Sequence, residues 1–149
     1  MPTTGADAPV AAREETPARI VLVAAAALVD EDNRVLVATR PGSKSMAGLW
    51  EFPGGKVEPG ETPEACLIRE LDEELGVRTK RACLAPLTFA SYTYPSFHLL
   101  MPLFICRVWE GEPTAKEGQE IRWLRPKELF ALPMPEADRP LLPFLDDLL

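Results

Sequence analysis

The chain has 149 residues, with 23 Asp and Glu against 16 Lys and Arg, a formal net charge of −7, and 46% hydrophobic side chains. That length and balance suit one domain with a buried core and exclude wholesale disorder. The acidic surplus argues against a nucleic-acid polymer as partner, since phosphate backbones are held by surplus Lys and Arg.

Residues Met1 to Arg19, rich in Ala, Pro and Thr without periodicity, read as a flexible tail, and residues 20–149 as the domain. The apolar run Ile20 to Val29 is too short to cross a bilayer, so no membrane partner is expected. No basic segment followed by an apolar one marks a secretory leader. That run and Arg34 to Thr39 flank the turn Asp30-Glu31-Asp32-Asn33, which predicts a β-hairpin. Arg40 to Gly60 is dense in Gly and Pro and reads as loop. Thr62 is placed as an N-cap with Pro63 at the first helical position, and the helix should run to about Leu75 and stop at Gly76. Two long strands are expected at Cys83 to Thr93 and Phe97 to Trp109, joined at Tyr94-Pro95-Ser96, then a short one at Glu120 to Leu124. Helices opened by proline are expected at Pro126 to Leu132 and Arg139 to Leu149. Such a mixture describes one α+β domain.

Cys66, Cys83 and Cys106, with His98 the sole histidine, make neither a disulfide framework nor a zinc site. A reduced, cytoplasmic setting is expected, with a monomer as the default state. His98 sits in a strand pattern and reads as structural.

On the first predicted helix, Glu70, Glu73 and Glu74 fall within an arc of roughly 100°. Leu67, Ile68, Leu71 and Leu75 take another face, suited to a core. A solvated stripe would interleave Lys, because like charges at i,i+3 and i,i+4 repel. Here the stripe carries one sign, and its last two members sit where the helix dipole disfavours anions. Oxygen ligands on a rigid element suit Mg²⁺, with substrate phosphates completing its shell. The stretch Glu58 to Glu74 holds seven acids against one base, Arg69, so most of the −7 is local. A cation held there would bridge this acid to phosphates.

Gly55, five residues, Glu61, seven residues, then Arg69-Glu70-Leu71-Asp72-Glu73-Glu74-Leu75-Gly76-Val77 matches the Nudix box at every fixed position. The chain therefore resembles a Nudix hydrolase. Arg40-Pro41, Met46 to Lys56, Glu117-Gly118-Gln119 and Pro135 to Pro140 are further similar to the MutT branch, so the likeness covers Ile20 to Leu149. It implies a Nudix fold, a mixed β-sheet between helices, and a Mg²⁺ enzyme (Mn²⁺ as substitute) that cleaves nucleoside triphosphates to monophosphate and pyrophosphate. Glu70, Glu73 and Glu74 would hold metal, joined by the Gly54 carbonyl and by Glu117. Glu61 and Arg69 would form a structural ion pair. Either Glu70 or Glu117 would take the proton from the attacking water.

The branch includes 8-oxo-dGTP diphosphatases and CTP or 5-methyl-dCTP pyrophosphohydrolases, and a (d)NTP is the expected partner. Arg40 would contact phosphate or base, Lys56 a phosphate, and Phe52 or Trp50 would stack on the base or pack the core. Tyr92, Tyr94 and Phe97 read as packing or rim residues. Asp138 departs from the pattern, since the 8-oxo-dGTP enzymes often hold Asn there. An ionised Asp only accepts hydrogen bonds, which suits the amine of cytosine; an Asp protonated by burial also donates, as 8-oxoguanine requires. It could equally serve as an N-cap for the segment that follows. The expectation is nucleotide-pool sanitation by destruction of 8-oxo-dGTP, with the CTP-type activity as alternative. A non-catalytic nucleotide sensor would have lost box carboxylates, and none is missing.

Overall fold

The computed structural model describes residues 19–40 and 48–149. The segment read as a tail lies outside these except for Arg19, and so do Pro41, Met46 and Ala47 of the similar segments. The Arg19 carbonyl accepts the His98 N–H at 3.0 Å, so the ladder of the first strand begins there.

β1 (Ile20–Leu28) pairs antiparallel with β4 (Gly54–Lys56) and parallel with β6 (Phe97–Cys106), which also pairs antiparallel with β5 (Leu84–Tyr94). The mixed sheet has the order β4-β1-β6-β5. A second, antiparallel sheet holds β3 (Trp50–Glu51), β2 (Val35–Thr39) and β7 (Ile121–Leu124) in that order. Two-sided burial explains the unbroken apolar run of β1. Ala25, Ala27 and Val29 enter one core cluster, and Ala24, Ala26 and Leu28 enter the other.

The expected hairpin is corrected. β1 and β2 share only the bridge Val29↔Val35, because both edges of β1 are taken by β4 and β6. The turn itself is firm: the Asp30 carboxylate accepts the N–H of Asp32 and Arg34 and pairs with the Arg34 guanidinium at 2.8 Å. It turns the chain from one sheet into the other. The stretch Arg40 to Gly60, read as loop, contains β3 and β4.

α1 (Pro63–Leu75) has the expected ends. Thr62 Oγ1 accepts from the Ala65 N–H at 3.1 Å, and Gly76 closes the helix at φ 71°, a left-handed conformation cheap only for glycine. Cys66, Leu67, Leu71 and Leu75 are buried in the second cluster, each leucine contributing about 1.5–3 kcal/mol by its removal from water. The first cluster is closed on the opposite side by Leu129 of α2 (Pro126–Leu129), Leu141, and Leu142 and Leu145 of α3 (Leu142–Leu148). The predicted helices are thus shorter than expected, and Arg139–Leu141 is a 3-10 turn before α3. The mixed sheet lies between helices, as the resemblance implied. All three cysteines are free, and among the described residues no helix is long and apolar enough to cross a membrane.

Candidate active site

β4 and α1 meet at the mouth of a cleft of about 360 Å³. Gly54, Gly55, Lys56, Glu74, Glu117 and Gln119 line one end, and Arg40, Glu51, Phe52 and Asp138 the other. Glycine is required twice at the mouth. A Cβ on Gly54 would overlap the Ala24 carbonyl oxygen, and φ there is 151°. A Cβ on Gly55 would run into the Glu70 carboxylate. β4 therefore lies tight on β1 and opens a cradle for the glutamate.

The ion pair expected between Glu61 and Arg69 is present, with contacts of 2.7 and 3.0 Å. These hydrogen bonds, with one from the Glu58 N–H, hold the Glu61 carboxyl well below the usual range, at about 2. Arg69 also reaches Glu70 at 3.1 Å and Glu73 at 3.4 Å. One guanidinium thus spans three carboxylates, a role that the box spacing alone does not reveal. Cys66 was likewise missed. Burial pushes its thiol up to about 11, so it stays protonated and faces the Gly55 and Lys56 carbonyls at 3.4 Å each. Helix and loop are joined twice, by charge above and by a thiol below.

Glu74 is raised well above the ordinary carboxylate range by burial, by the adjacent Glu70 carboxyl and by the charge of Glu117, against a lowering pull from the Gly54 amide. Glu70, Glu74, Glu117 and Gly54 are therefore neighbours. Glu73 is not drawn in: its side chain is 55% exposed and leans on Arg69. As the side chains stand, no three acidic, His or Cys groups among the described residues converge closely enough to enclose an ion. The donor set nevertheless fits a hard cation in kind, being all oxygen, with one carboxyl half-buried among like charges and a glycine cradle beside it.

At the other end, Asp138 is 4% exposed. It occupies the N-cap position considered from sequence, ahead of the 3-10 turn, but its backbone is already helical and its side chain makes no capping bond. Burial raises its pKa to about 7, helped by the charge of Glu51 and opposed by that of Arg40. Arg40 is held to Glu51 at 3.1 Å, so two acids and one guanidinium share this end. Tyr92 donates to Glu136 at 3.0 Å, and Tyr92, Tyr94 and Phe97 form a packed row. These aromatics support the segment that carries Asp138, as packing residues. Phe52 is buried yet lines the cleft, whereas Trp50 belongs to the core, with Arg122 over its ring at 4.7 Å. Lys56 is exposed at the cleft rim. His98 bonds Ser91 and Thr93 at 2.7 and 2.8 Å on the sheet, away from the cleft.

A larger cavity, about 680 Å³, lies beside the β1–β2 turn over the stacked Trp109 and Trp123. It contains none of the box residues.

Fold and motif together define the class: residues 24–143 match the NUDIX domain family, and the chain belongs to that family of hydrolases. Within it the relatives are MutT-like. The 8-oxo-dGTP diphosphatase of Escherichia coli is 36% identical over 120 residues, 80% of this chain and 92% of that protein. The CTP pyrophosphohydrolase of Escherichia coli is 35% identical over 127 residues, 78% of this chain and 85% of that one. The solved structure of MutT from Aliivibrio salmonicida and Vibrio cholerae superposes with a TM-score of 0.73 at 29% identity, covering 87% of this chain and 99% of the other.

Proposed function

We propose that this hydrolase cleaves 8-oxo-dGTP to 8-oxo-dGMP and pyrophosphate with Mg²⁺, clearing the oxidised base from the cytoplasmic nucleotide pool. The observation that carries the reading is the buried Asp138 carboxyl, which lines the cleft and is raised by burial to about 7. Protonated, it presents a carbonyl to accept N7–H of 8-oxoguanine and a hydroxyl to donate to O6, the pattern of the amide it replaces. Unmodified guanine has no N7–H and leaves the carbonyl unmatched, which costs affinity in a buried site. The ionised form favours a second reading, CTP or 5-methyl-dCTP, since it accepts from an exocyclic amine.

Glu70, Glu73, Glu74 and Glu117, with the Gly54 carbonyl, would hold the cation. When bound, the metal supplies charge neutralisation on the phosphates and a lowered pKa for the attacking water. Arg69, held by Glu61, also contacts Glu70 and Glu73, and those two contacts would be free to give way where a cation took over the carboxylate charge. Glu70 or Glu117 accepts the proton from water. Lys56 and Arg40, at the two ends, steady phosphate and base, and Phe52 offers a ring to the base.

Product analysis tests this reading. Incubation with 8-oxo-dGTP and Mg²⁺ should give monophosphate and pyrophosphate in equal amounts. Release of inorganic phosphate, or turnover undiminished by chelation, would reject it.

A further inference from the structure

The carbonyls of the last turn of a helix have no donors within it. In α1 the last two of these carbonyls, those of Glu74 and Leu75, take their donors from one loop. Thr114 N–H reaches the Leu75 carbonyl at 3.0 Å, and Lys116 N–H reaches that of Glu74 at 3.1 Å. The Gln119 side chain adds to them: its Nε2 donates to the same Glu74 carbonyl at 3.1 Å, and its Oε1 accepts the Glu117 N–H at 2.9 Å. Gly118, at φ 81°, folds the loop back so that residue 119 can reach residue 117. Among the described residues, Gln119 and Asp138 are the buried polar side chains, and both line the cleft. A carboxamide has one donor end and one acceptor end. Turning this one over would set donor against donor and oxygen against oxygen, so its orientation is fixed.

We propose that Gln119 is a positioning residue, tying the backbone of Glu117 to that of Glu74 and so setting the exposed Glu117 carboxyl against the acidic end of the cleft. The inference rests on the reading above, in which Glu117 takes part in the reaction. Lys116 and Thr114 fasten the loop to the helix, but Gln119 is the side chain that bonds both residues at once.

Gln119→Leu removes both hydrogen bonds at similar volume, and Gln119→Met does so with a more adaptable side chain. Each is measured in the full chain, alone and combined with Glu117→Gln, with 8-oxo-dGTP and saturating Mg²⁺. Alone, either should lower kcat by about tenfold, because small displacements of reacting groups are costly, with KM changed by less than about twofold. Combined with Glu117→Gln, neither should lower kcat further. Hydrogen exchange at the Glu117 amide should accelerate by about tenfold or more in both, in the absence of substrate. Equal losses on the two backgrounds would overturn the inference, as would an unchanged amide exchange rate. If Glu117→Gln alone keeps the parent kcat, it is the assigned role of Glu117 that fails, and the inference falls with it. If Glu117→Gln is impaired and the Gln119 variants are not, only the inference fails. Where Gln119→Leu does not melt cooperatively, the Met variant decides by the same criteria.

Discussion

The two ends of the cleft hold buried acid by opposite means. At the α1 end, three carboxyls, those of Glu61, Glu70 and Glu73, share one guanidinium, and Glu74 is left raised among like charges. At the Asp138 end, a single carboxyl is desolvated and titrates at about 7. A buried carboxylate is stable when paired, protonated or bound to a cation. In the proposed reading, the first end is arranged for a cation, and the second for a proton. Metal requirement and base preference should therefore respond to different substitutions and different conditions.

The largest effect is expected at the α1 end. Glu70→Gln removes both a charge and a proton acceptor, and should lower kcat by roughly 10³-fold at saturating Mg²⁺. Pyrophosphate release measures it, and a loss below tenfold would place the reaction elsewhere. Gly55→Ala drives a methyl group into the Glu70 cradle. It should abolish most of the rise in Tm that Mg²⁺ confers on the parent, a linkage of ligand to the folded state that needs no turnover.

Asp138→Asn separates the other end. The parent's kcat/KM for 8-oxo-dGTP should fall by about tenfold per pH unit above the carboxyl pKa, whereas the Asn variant should stay flat. Stability carries the same sign. The folded carboxyl keeps its proton up to about pH 7, while in the unfolded chain it ionises near 3.9. Stability is therefore complete below about pH 4 and is lost as pH rises through 7. Asp138→Asn should raise Tm at pH 8 by several degrees and leave it unchanged at pH 4. A parallel offset at both pH values would deny the burial argument.

The smallest effect belongs to the ion pair that joins loop and helix. Glu61 is lowered to about 2, so its contribution is complete above about pH 4.5 and is lost as pH falls toward 2. Glu61→Gln should melt below the parent at neutral pH, and the two curves should converge in strong acid.

This contrast also explains what was legible in the chain. The acidic end is written on one helix, where a period of 3.6 residues gathers Glu70, Glu73 and Glu74 and the box motif names them. The other end is assembled from Arg40 after β2, Phe52 after β3 and Asp138 before the 3-10 turn. No period links such positions, so only resemblance pointed to them. The longer strands were readable from apolar patterning, the short β3 and β4 were hidden in a stretch dense in Gly and Pro, and β1 and β2 show that adjacency in sequence does not fix pairing partners. Gln119 and Cys66 act through hydrogen bonds to backbone groups distant in sequence, and residue type alone does not announce that.

The role proposed for the buried Asp138 is selection of an oxidised purine. It is tested most directly by kcat/KM for 8-oxo-dGTP, dGTP, CTP and 5-methyl-dCTP, side by side at pH 7 with Mg²⁺. A mismatched buried hydrogen bond should separate 8-oxo-dGTP from dGTP by about 10²-fold or more, with both cytosine nucleotides below 8-oxo-dGTP. Equal values for 8-oxo-dGTP and dGTP, or a higher value for CTP, would contradict it.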